Sequence, residues 1–584
     1  MEKDSETKVS NTTENTNETQ PKQETIVTIE KVVGRIDYDK LIQQFGTEKV
    51  TEDVLKKFER VTGKPLHPWL KRGIFFSHRD LNQFLDAYEN GDPVFLYTGR
   101  GPSSDSMHIG HLIPFIFIKY LQDVFDCPLV IQLSDEEKYA FKKGTFEELH
   151  KMGMENSKDI MSVGLNPKKT FIFSNRDYRL ACPKYEMFVS DMKVNASIKE
   201  VAQVFGFKDD GNVGMYDWPF YQSAASFSQA FPHIFGGRPA YCLIPCAIDQ
   251  DPYFRLSRDL ASRMNLLKTS TIYSTFLPPL MGLDGGKMSS SVGASSTLFL
   301  NDEIEVIKKK IKKFSKSGSK GDGTLEDHKK LGGDVDEDIA CQYLKYFELD
   351  EEKLNNDLLQ FSKGELTCSE MKEKLSVKIA DIIKDVSEKR SKFTPEDVNE
   401  YFSIKPIALP KPKEKEKKNE QKEVEDFLVK NNIEFVTTYH EPLVIDEDYN
   451  ELRSKLEGTL CKVFLFYGQE KFYLAFYDVS STFANDKLKL IAKKMGLKKI
   501  AVANVDSQRN LLKCETNFLS LFGLLYDKEK KISEVWVDEN INKKEKVNFA
   551  PIRNDARITI KYEDMVKIVK ESLGLEIKEF NPKK

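Results

Sequence analysis

The stretch from Gly91 to Phe125 sets the tightest limit on how this chain can fold. Val94 to Tyr97 is a short apolar run that reads as a buried strand. A turn rich in Gly, Pro and Ser follows, Gly99-Arg-Gly-Pro-Ser-Ser104. His108-Ile-Gly-His111 then opens an apolar segment, Leu112 to Phe125, that reads as a helix. Strand, polar turn and helix start together make a place for phosphate, because free backbone N–H groups and the positive helix end point out of the sheet edge. Gly110 leaves room for a base or a backbone to approach. His108 and His111, about one helical turn apart, can both reach a phosphate chain.

The same alternation continues, with a strand at 128–133, a helical insertion at roughly 136–235, a strand at 241–248, a helix at 252–264 and a strand at 271–276. Apolar strands alternating with helices imply a parallel sheet covered on both faces. Ligands of such sheets sit beyond the carboxyl ends of the strands, at the switch point, and Asp249-Gln250 lies at such an end. Ahead of this core, 38–70 reads as two helices with Asp37 and Thr51 as N-caps, and 80–90 as a helix closed by Gly91 and Pro93. Ile26–Ile29 and Lys31–Val33 suggest a hairpin, whereas 1–25 has few apolar residues and reads as disordered. Beyond residue 298 the pattern is helical, at 302–313, 336–350 and 365–391, with a flexible loop at 315–323. Pro406 to Lys422 is a linker: three prolines break helix and a Lys/Glu run is solvated.

A chain of 584 residues allows three or four domains, and its net charge of −4 excludes a generally basic nucleic-acid binder. An RNA partner must be met by local basic surface. Eight scattered cysteines without a C-x-x-C pair fit a reducing compartment, and Cys242 and Cys246 read as strand packing rather than a metal site. The first 30 residues are polar and acidic, unlike a signal or transit peptide, and no apolar run approaches a membrane span of about 20 residues. The expectation is a cytoplasmic protein.

One further motif joins the histidines. Lys287-Met-Ser-Ser-Ser291 follows the glycine-rich Gly282-Leu-Asp-Gly-Gly286. The pair, in this order, resembles the signatures of class I aminoacyl-tRNA synthetases. Gly99 to Ser104, Met107 to Phe115 and Cys242 to Arg255 resemble more closely the tryptophanyl-tRNA synthetases of the eukaryotic cytosol, and the resemblance covers about 36–404. It implies an α/β fold: N-terminal hairpin and helices (31–90) after a tail (1–30), a Rossmann-type catalytic domain with its helical insertion (91–297) and an all-helical anticodon-binding domain (298–404). It implies ATP with Mg²⁺, L-tryptophan and tRNA(Trp) as partners, and a homodimer, for which Phe220, Tyr221, Phe227 and Phe231 offer aromatic surface, though core packing would explain the same residues. His108, His111, Lys287, Ser289 and Ser291 become catalytic candidates, and Gly99, Arg100, Gly101, Gly110, Met288 and Ser290 candidates for ATP. Tyr97, Gln132, Glu137, Gln222 and Gln250 occupy the family's tryptophan-binding positions. Ser290 replaces the second lysine of the general motif, as in the eukaryotic tryptophan enzymes. A tyrosine enzyme is the rival, and Gly99–Ser104 argues against it. A synthetase-like regulatory protein is the non-enzyme alternative, and the intact histidines and Lys287 argue against that.

Residues 423–584, after a linker at 405–422, read as a further α+β domain: helices at 421–430, 485–495, 507–513 and 562–573, and strands at 434–438, 461–466, 472–476, 534–537 and 557–560. It resembles the prolyl-tRNA-deacylase-like (YbaK-type) editing domains. The resemblance implies a site at Lys462, with His440, Gly523 and Asn554. A lysine on an apolar strand is costly to bury and asks for a reason. The substrate loop departs from the family, because Asn517-Phe-Leu-Ser-Leu521 carries neither its Gly nor its Pro. Two readings stand, a domain that binds tRNA or another synthetase without chemistry, and an active editing domain. The changed loop favours the first.

Overall fold

The computed structural model describes residues 26–27, 32–33, 37–102, 104–141, 144–208, 211–281, 295–409, 420–440, 446–480, 492–493, 496–503, 505–514, 519–541, 545–553 and 555–580. Its strands up to residue 409 are β1 (Ile26–Val27), β2 (Val32–Val33), β3 (Glu48–Lys49), β4 (Phe75–Arg79), β5 (Val94–Arg100), β6 (Leu129–Leu133), β7 (Thr170–Ser174), β8 (Tyr241–Ala247) and β9 (Ser270–Ser274). β1 and β2 pair antiparallel, as the hairpin pattern predicts. The other seven form one sheet in the order β3-β4-β9-β8-β5-β6-β7. From β7 to β9 all neighbours are parallel, and β4 and β3 add an antiparallel edge.

The insertion is not wholly helical, because Thr170-Phe-Ile-Phe-Ser174 is a fully buried strand that extends the parallel sheet beyond β6. β4, absent from the sequence reading, pairs with β9 and seals the opposite side. Asp37 and Thr51 do cap their helices, each side-chain oxygen accepting a backbone N–H three residues on. The aromatic residues assigned to a dimer surface are interior: Phe220, Tyr221, Phe227 and Phe231 are all buried in the core beneath the insertion. Packing against the β6–β7 face takes them out of solvent.

Six helices follow among the described residues of the helical block, Ile304–Phe314, Leu325–Leu331, Ile339–Phe347, Glu351–Ser362, Cys368–Arg390 and Pro395–Phe402, where three were expected. Their apolar faces join the core beneath the sheet as one continuous cluster, from Phe84 and Ile118 to Ile379 and Ile383. Trp69 fastens the seam by donating its indole N–H to the Tyr346 carbonyl at 2.5 Å. Arg72 donates beside it to the carbonyls of Lys345 and Glu348. Ile407, in the predicted linker, is also buried.

The C-terminal strands are β10 (Val436–Tyr439), β11 (Thr459–Gly468), β12 (Lys471–Asp478), β13 (Ala501–Val502), β14 (Ile532–Asp538), β15 (Lys546–Phe549), β16 (Ala556–Lys561) and β17 (Glu576–Phe580). They make a mixed sheet in the order β10-β16-β15-β11-β12-β14-β17, with β13 paired to β11. β13, β15 and β17 were not expected, and the last helical segment ends at Ser572, before β17. The predicted helix at 485–495 lies largely outside the described residues. One face carries a large aliphatic core around Leu465, Leu474, Val535 and Met565, and the other a smaller aromatic cluster around Phe466, Tyr477, Trp536 and Phe580.

Candidate active site

β5 and β8 are adjacent and parallel, but the chain leaves them toward opposite edges of the sheet, so a crevice opens at their carboxyl ends. β5 delivers Arg100 to that crevice. Its guanidinium is buried, which lowers its pKa to about 10 and leaves it cationic at neutral pH. Asp159 and Glu137 act through space to retain that charge. Arg100 Nε donates to Asn156 Oδ1 at 3.1 Å, and its Nη1 lies 3.3 Å from His111 Nε2. Asn156, wholly buried, also donates from Nδ2 to the Ser104 carbonyl at 3.0 Å. It therefore ties both ends of the Gly/Pro/Ser turn to the helix Phe146–Met161.

The helix Ile109–Phe125 begins where expected, with His108 as its N-cap. The His108 N–H donates to His111 Nδ1 at 3.2 Å, and the two rings stack with centroids 3.4 Å apart. Their environments differ. His108 is 3% exposed, and burial, with Arg100 nearby, lowers its pKa to about 3, so it is neutral at neutral pH. His111 is partly open to solvent. His108 thus forms the inner wall and His111 the face a ligand meets. Gly110 serves this stack: a Cβ there would lie 3.2 Å from the His108 ring. Its room is taken by an imidazole, not by a base as the sequence reading held.

Lys287, Met288, Ser289, Ser290 and Ser291 lie outside the described residues. Both flanks of that stretch are fixed. On the near side Tyr343 OH donates to the Pro278 carbonyl at 2.7 Å, and Lys316 N–H to Leu280 O. On the far side Ile109 N–H donates to Leu298 O, and Leu300 N–H to Met107 O, both at 2.9 Å. Leu298 and Leu300, beyond the second signature, therefore pair with the chain on either side of His108.

Tyr97, earlier on β5 than Arg100, is fully buried and held protonated, its pKa well above the ordinary phenol value through burial. Its OH donates to Gln132 Oε1 at 2.7 Å and lies 3.3 Å from the Gln222 carbonyl. Gln132 in turn donates from Nε2 to Asn175 Oδ1 at 2.9 Å. Glu137 accepts from Ser134 Oγ at 3.1 Å and from Tyr253 OH at 3.4 Å, and pairs with Lys138. The Gln222 side chain accepts from Trp218 Nε1 at 3.2 Å. Gln250 stands at the start of the helix Asp251–Met264, and among the described residues no hydrogen bond joins it to the other four. Gly99 lies on β5 against the Gln132 carbonyl, and Gly101 against the Lys138 and Glu137 side chains. Asn156 and Asn175 were missed by the sequence reading. Beyond Asn175 lies a cavity of about 770 Å³ walled by Glu136, Tyr139, Arg176, Arg179, Trp218 and Tyr221. Its charges are internally engaged, Arg179 with Glu136 and Glu186 and Arg176 over the Phe146 ring. The anion-ready surface is instead at Arg100 and His111.

In the C-terminal sheet Lys462 is partly buried and sits directly opposite Tyr477, on the aromatic face that also carries Phe464 and Phe466. His440 follows β10, its N–H donating to the Asp555 carbonyl at 3.0 Å. Gly523 is buried against Leu512 and Cys514, where a Cβ would come within 2.8 Å of Leu512 Cβ, so its role is close packing rather than substrate contact. Asn554 is outside the described residues.

A parallel sheet that reverses at β5 and β8, with an anion-ready helix start beside a closed polar pocket, defines a nucleotide-using α/β enzyme. The family model described as tRNA synthetases class I (W and Y) matches residues 89–384, and the chain belongs to that family. A second model, aminoacyl-tRNA editing domain, matches residues 440–568. The cytoplasmic tryptophan–tRNA ligase of Oryctolagus cuniculus is 46% identical over 375 residues, 64% of this chain and 78% of the relative. That of Schizosaccharomyces pombe is 47% identical over 61% of this chain and 89% of its own length. The solved tryptophanyl-tRNA synthetase of Plasmodium falciparum superposes with a TM-score of 0.59 at 43% identity, covering 63% of this chain and 98% of that one. Among the described residues no helix is long and apolar enough to cross a membrane.

Proposed function

We propose that this chain activates L-tryptophan with MgATP to tryptophanyl-adenylate and transfers the amino acid to tRNA(Trp) in the cytoplasm. The observation that carries the choice of amino acid is that the Tyr97 hydroxyl faces two acceptors, Gln132 Oε1 at 2.7 Å and the Gln222 carbonyl at 3.3 Å. Asn175 orients the Gln132 amide, so that Oε1 faces Tyr97 and takes its proton. The Tyr97 oxygen is then left as an acceptor inside a buried pocket, the complement of an indole N–H. We assign Glu137, Gln222 and Gln250 to the ammonium and carboxylate of the substrate. The relatives' names agree, each being a tryptophan–tRNA ligase of the cytoplasm.

Activation is attack of the tryptophan carboxylate oxygen on the α-phosphorus of ATP, with pyrophosphate leaving. The enzyme supplies placement and charge neutralisation rather than covalent help. Arg100 gives a fixed positive field behind the turn, and His111 presents a donor at the helix start. Lys287, Met288 and the serines 289–291 belong to the stretch anchored at Leu280 and Leu298, and Lys287 closes on the phosphates from that side. Magnesium enters with ATP as part of the substrate. The test is tryptophan-dependent exchange of pyrophosphate into ATP. Exchange driven equally well by tyrosine would overturn the assignment.

The helical block from about 298 to 404 reads the anticodon, and the protein works as a homodimer. Support for the dimer is the apolar set Leu180, Met187, Val194, Ile198 and Val213, which the insertion leaves at 62–84% exposure. The C-terminal domain, 423–584, holds the charged end of tRNA, its own or one made by another synthetase. Hydrolysis of a mischarged ester is a second reading, favoured by Lys462 facing an aromatic wall. Deacylation of a panel of mischarged tRNAs by the full chain and its Lys462→Ala variant separates the two.

A further inference from the structure

The long helix Cys368–Arg390 ends against the catalytic body, and its last residue carries an interaction that the reaction as described does not use. Arg390 Nη1 donates to the Glu155 carbonyl at 3.0 Å and to the Asp159 carboxylate, and Nη2 donates to Glu155 Oε2 at 2.6 Å. Asp159 is 2% exposed. Burial pushes its carboxyl above the ordinary range, and Arg390 together with the Met107 N–H pulls in the opposite direction. Between the two acids, on the same turn, lies Asn156, which holds Arg100 and the Ser104 carbonyl. Nearby Tyr401 OH fastens the following helix to the Leu165 carbonyl at 2.8 Å.

We propose that Arg390 is a positioning residue of the ATP site, clamping the turn Glu155–Asp159 so that Asn156 and Asp159 hold Arg100 and the segment 104–107 in register with the helix start. This rests on the reading of that crevice as the phosphate site. The physical argument is leverage. Gly99 and Arg100 are held in β5 and the Met107 carbonyl by Leu300, and the described residues between those ends are tied down by two side chains, the Asn156 amide and the Asp159 carboxylate. Both belong to a single helical turn, and the partner that keeps the carboxylate charged comes from the helical block, 231 positions away in the chain. A displacement at the end of Cys368–Arg390 therefore reaches the phosphate site through the Arg390 pairs with Glu155 and Asp159. A buried acid whose cationic partner is removed either takes up a proton or draws in water, and each response shifts the turn. Arg390 touches no substrate; it acts through Asn156 and Asp159.

The experiment uses the full chain with Arg390→Gln, Arg390→Lys and Asp159→Asn. ATP affinity is measured by calorimetry without amino acid, and the Michaelis constants for ATP and tryptophan by pyrophosphate exchange. Arg390→Gln should weaken ATP on the order of ten-fold and leave the tryptophan constant within about two-fold, because misplacement of the turn touches only the phosphate side. Arg390→Lys, which keeps charge but not the fork, should fall between wild type and Arg390→Gln. Asp159→Asn combined with Arg390→Gln should be no worse than the poorer single variant. Unchanged ATP affinity in a folded Arg390→Gln or Arg390→Lys protein overturns the proposal. So does an equal loss for ATP and tryptophan, which marks a general loosening. ATP affinity needs no tryptophan, so a wild type that binds ATP without activating tryptophan would defeat the substrate assignment and leave this test intact.

Discussion

Replacing Tyr97 by phenylalanine isolates a single oxygen in a buried pocket. The side chain is 1% exposed, so the phenylalanine ring keeps the packing, and only the hydrogen bonds change. In the ligand-free protein Gln132 Oε1 loses its donor at 2.7 Å and becomes a buried unpaired acceptor. That penalty is about 1–3 kcal/mol of stability. With substrate bound, an indole N–H loses its acceptor, a second penalty of about 1–3 kcal/mol, or roughly five- to 150-fold in kcat/KM for tryptophan. The two effects are separated with the benzothiophene analogue of tryptophan, in which sulfur replaces N–H. Wild type should prefer tryptophan over the analogue by roughly that factor, and Tyr97→Phe should lose most of the preference while its activity with the analogue stays within about three-fold of wild type. Pyrophosphate exchange with each amino acid gives the four numbers, and urea unfolding gives the stability term. If Tyr97→Phe depresses both amino acids equally, the hydroxyl is not reading the indole nitrogen and the argument from the Gln132 amide fails.

Four other outcomes are expected. Asn156→Ala deletes two buried hydrogen bonds and should lower unfolding free energy by about 2–4 kcal/mol while raising the Michaelis constant for ATP more than that for tryptophan. Acid should destabilise the fold. His67 and His108 are held neutral, with pKa values lowered to about 4 and about 3 mainly by burial. The unfolded chain takes up their protons first, so each contributes stability that is lost as pH falls below about 6.5, about 1.4 kcal/mol per histidine at pH 5.5. A urea-unfolding free energy that does not fall between pH 7 and 5.5 contradicts the burial of these rings. Lys287→Ala and His111→Ala should each cut exchange at least about 100-fold without moving the thermal midpoint, and normal turnover in either would remove that residue from the site. Val194→Asp with Ile198→Asp should convert a dimer to a monomer by light scattering, and an unaltered mass would place the interface elsewhere.

The strand–turn–helix unit at 94–125 was legible because every level of the sequence agreed there: an apolar run, a Gly/Pro/Ser turn and a helix start. β7 carried as clear a signal, Phe171-Ile-Phe173 between polar ends, but stood among helical patterns and was read with them. β4 had no such signal: Phe-Phe-Ser-His-Arg mixes apolar and polar residues, yet Ser77 and His78 are fully buried by the antiparallel edge. Tyr97 and Gln132 could be assigned by resemblance, whereas Asn156 and Asp159 look like the solvated side of an amphipathic helix. Only the fold turns that side inward, and their partners, Arg100 and Arg390, stand 56 and 231 positions distant. The dimer aromatics failed for the converse reason, since sequence shows that a ring is apolar but not which apolar surface it meets.

The two added parts of this molecule differ in how freely they can be exchanged. The helical block shares its interior with the nucleotide-binding sheet, down to the indole of Trp69 lodged against the Tyr346 carbonyl. A substitution on either side of that seam is felt by both, so the helical block and the nucleotide-binding sheet must change together over evolutionary time. The C-terminal domain brings a separate interior behind a proline- and lysine-rich tether. It can be gained, lost or retuned without disturbing the charging reaction, as a passenger with its own thermodynamics. Its surface is free to drift toward a new substrate, or away from catalysis, while the enzyme to which it is joined stays under constant constraint.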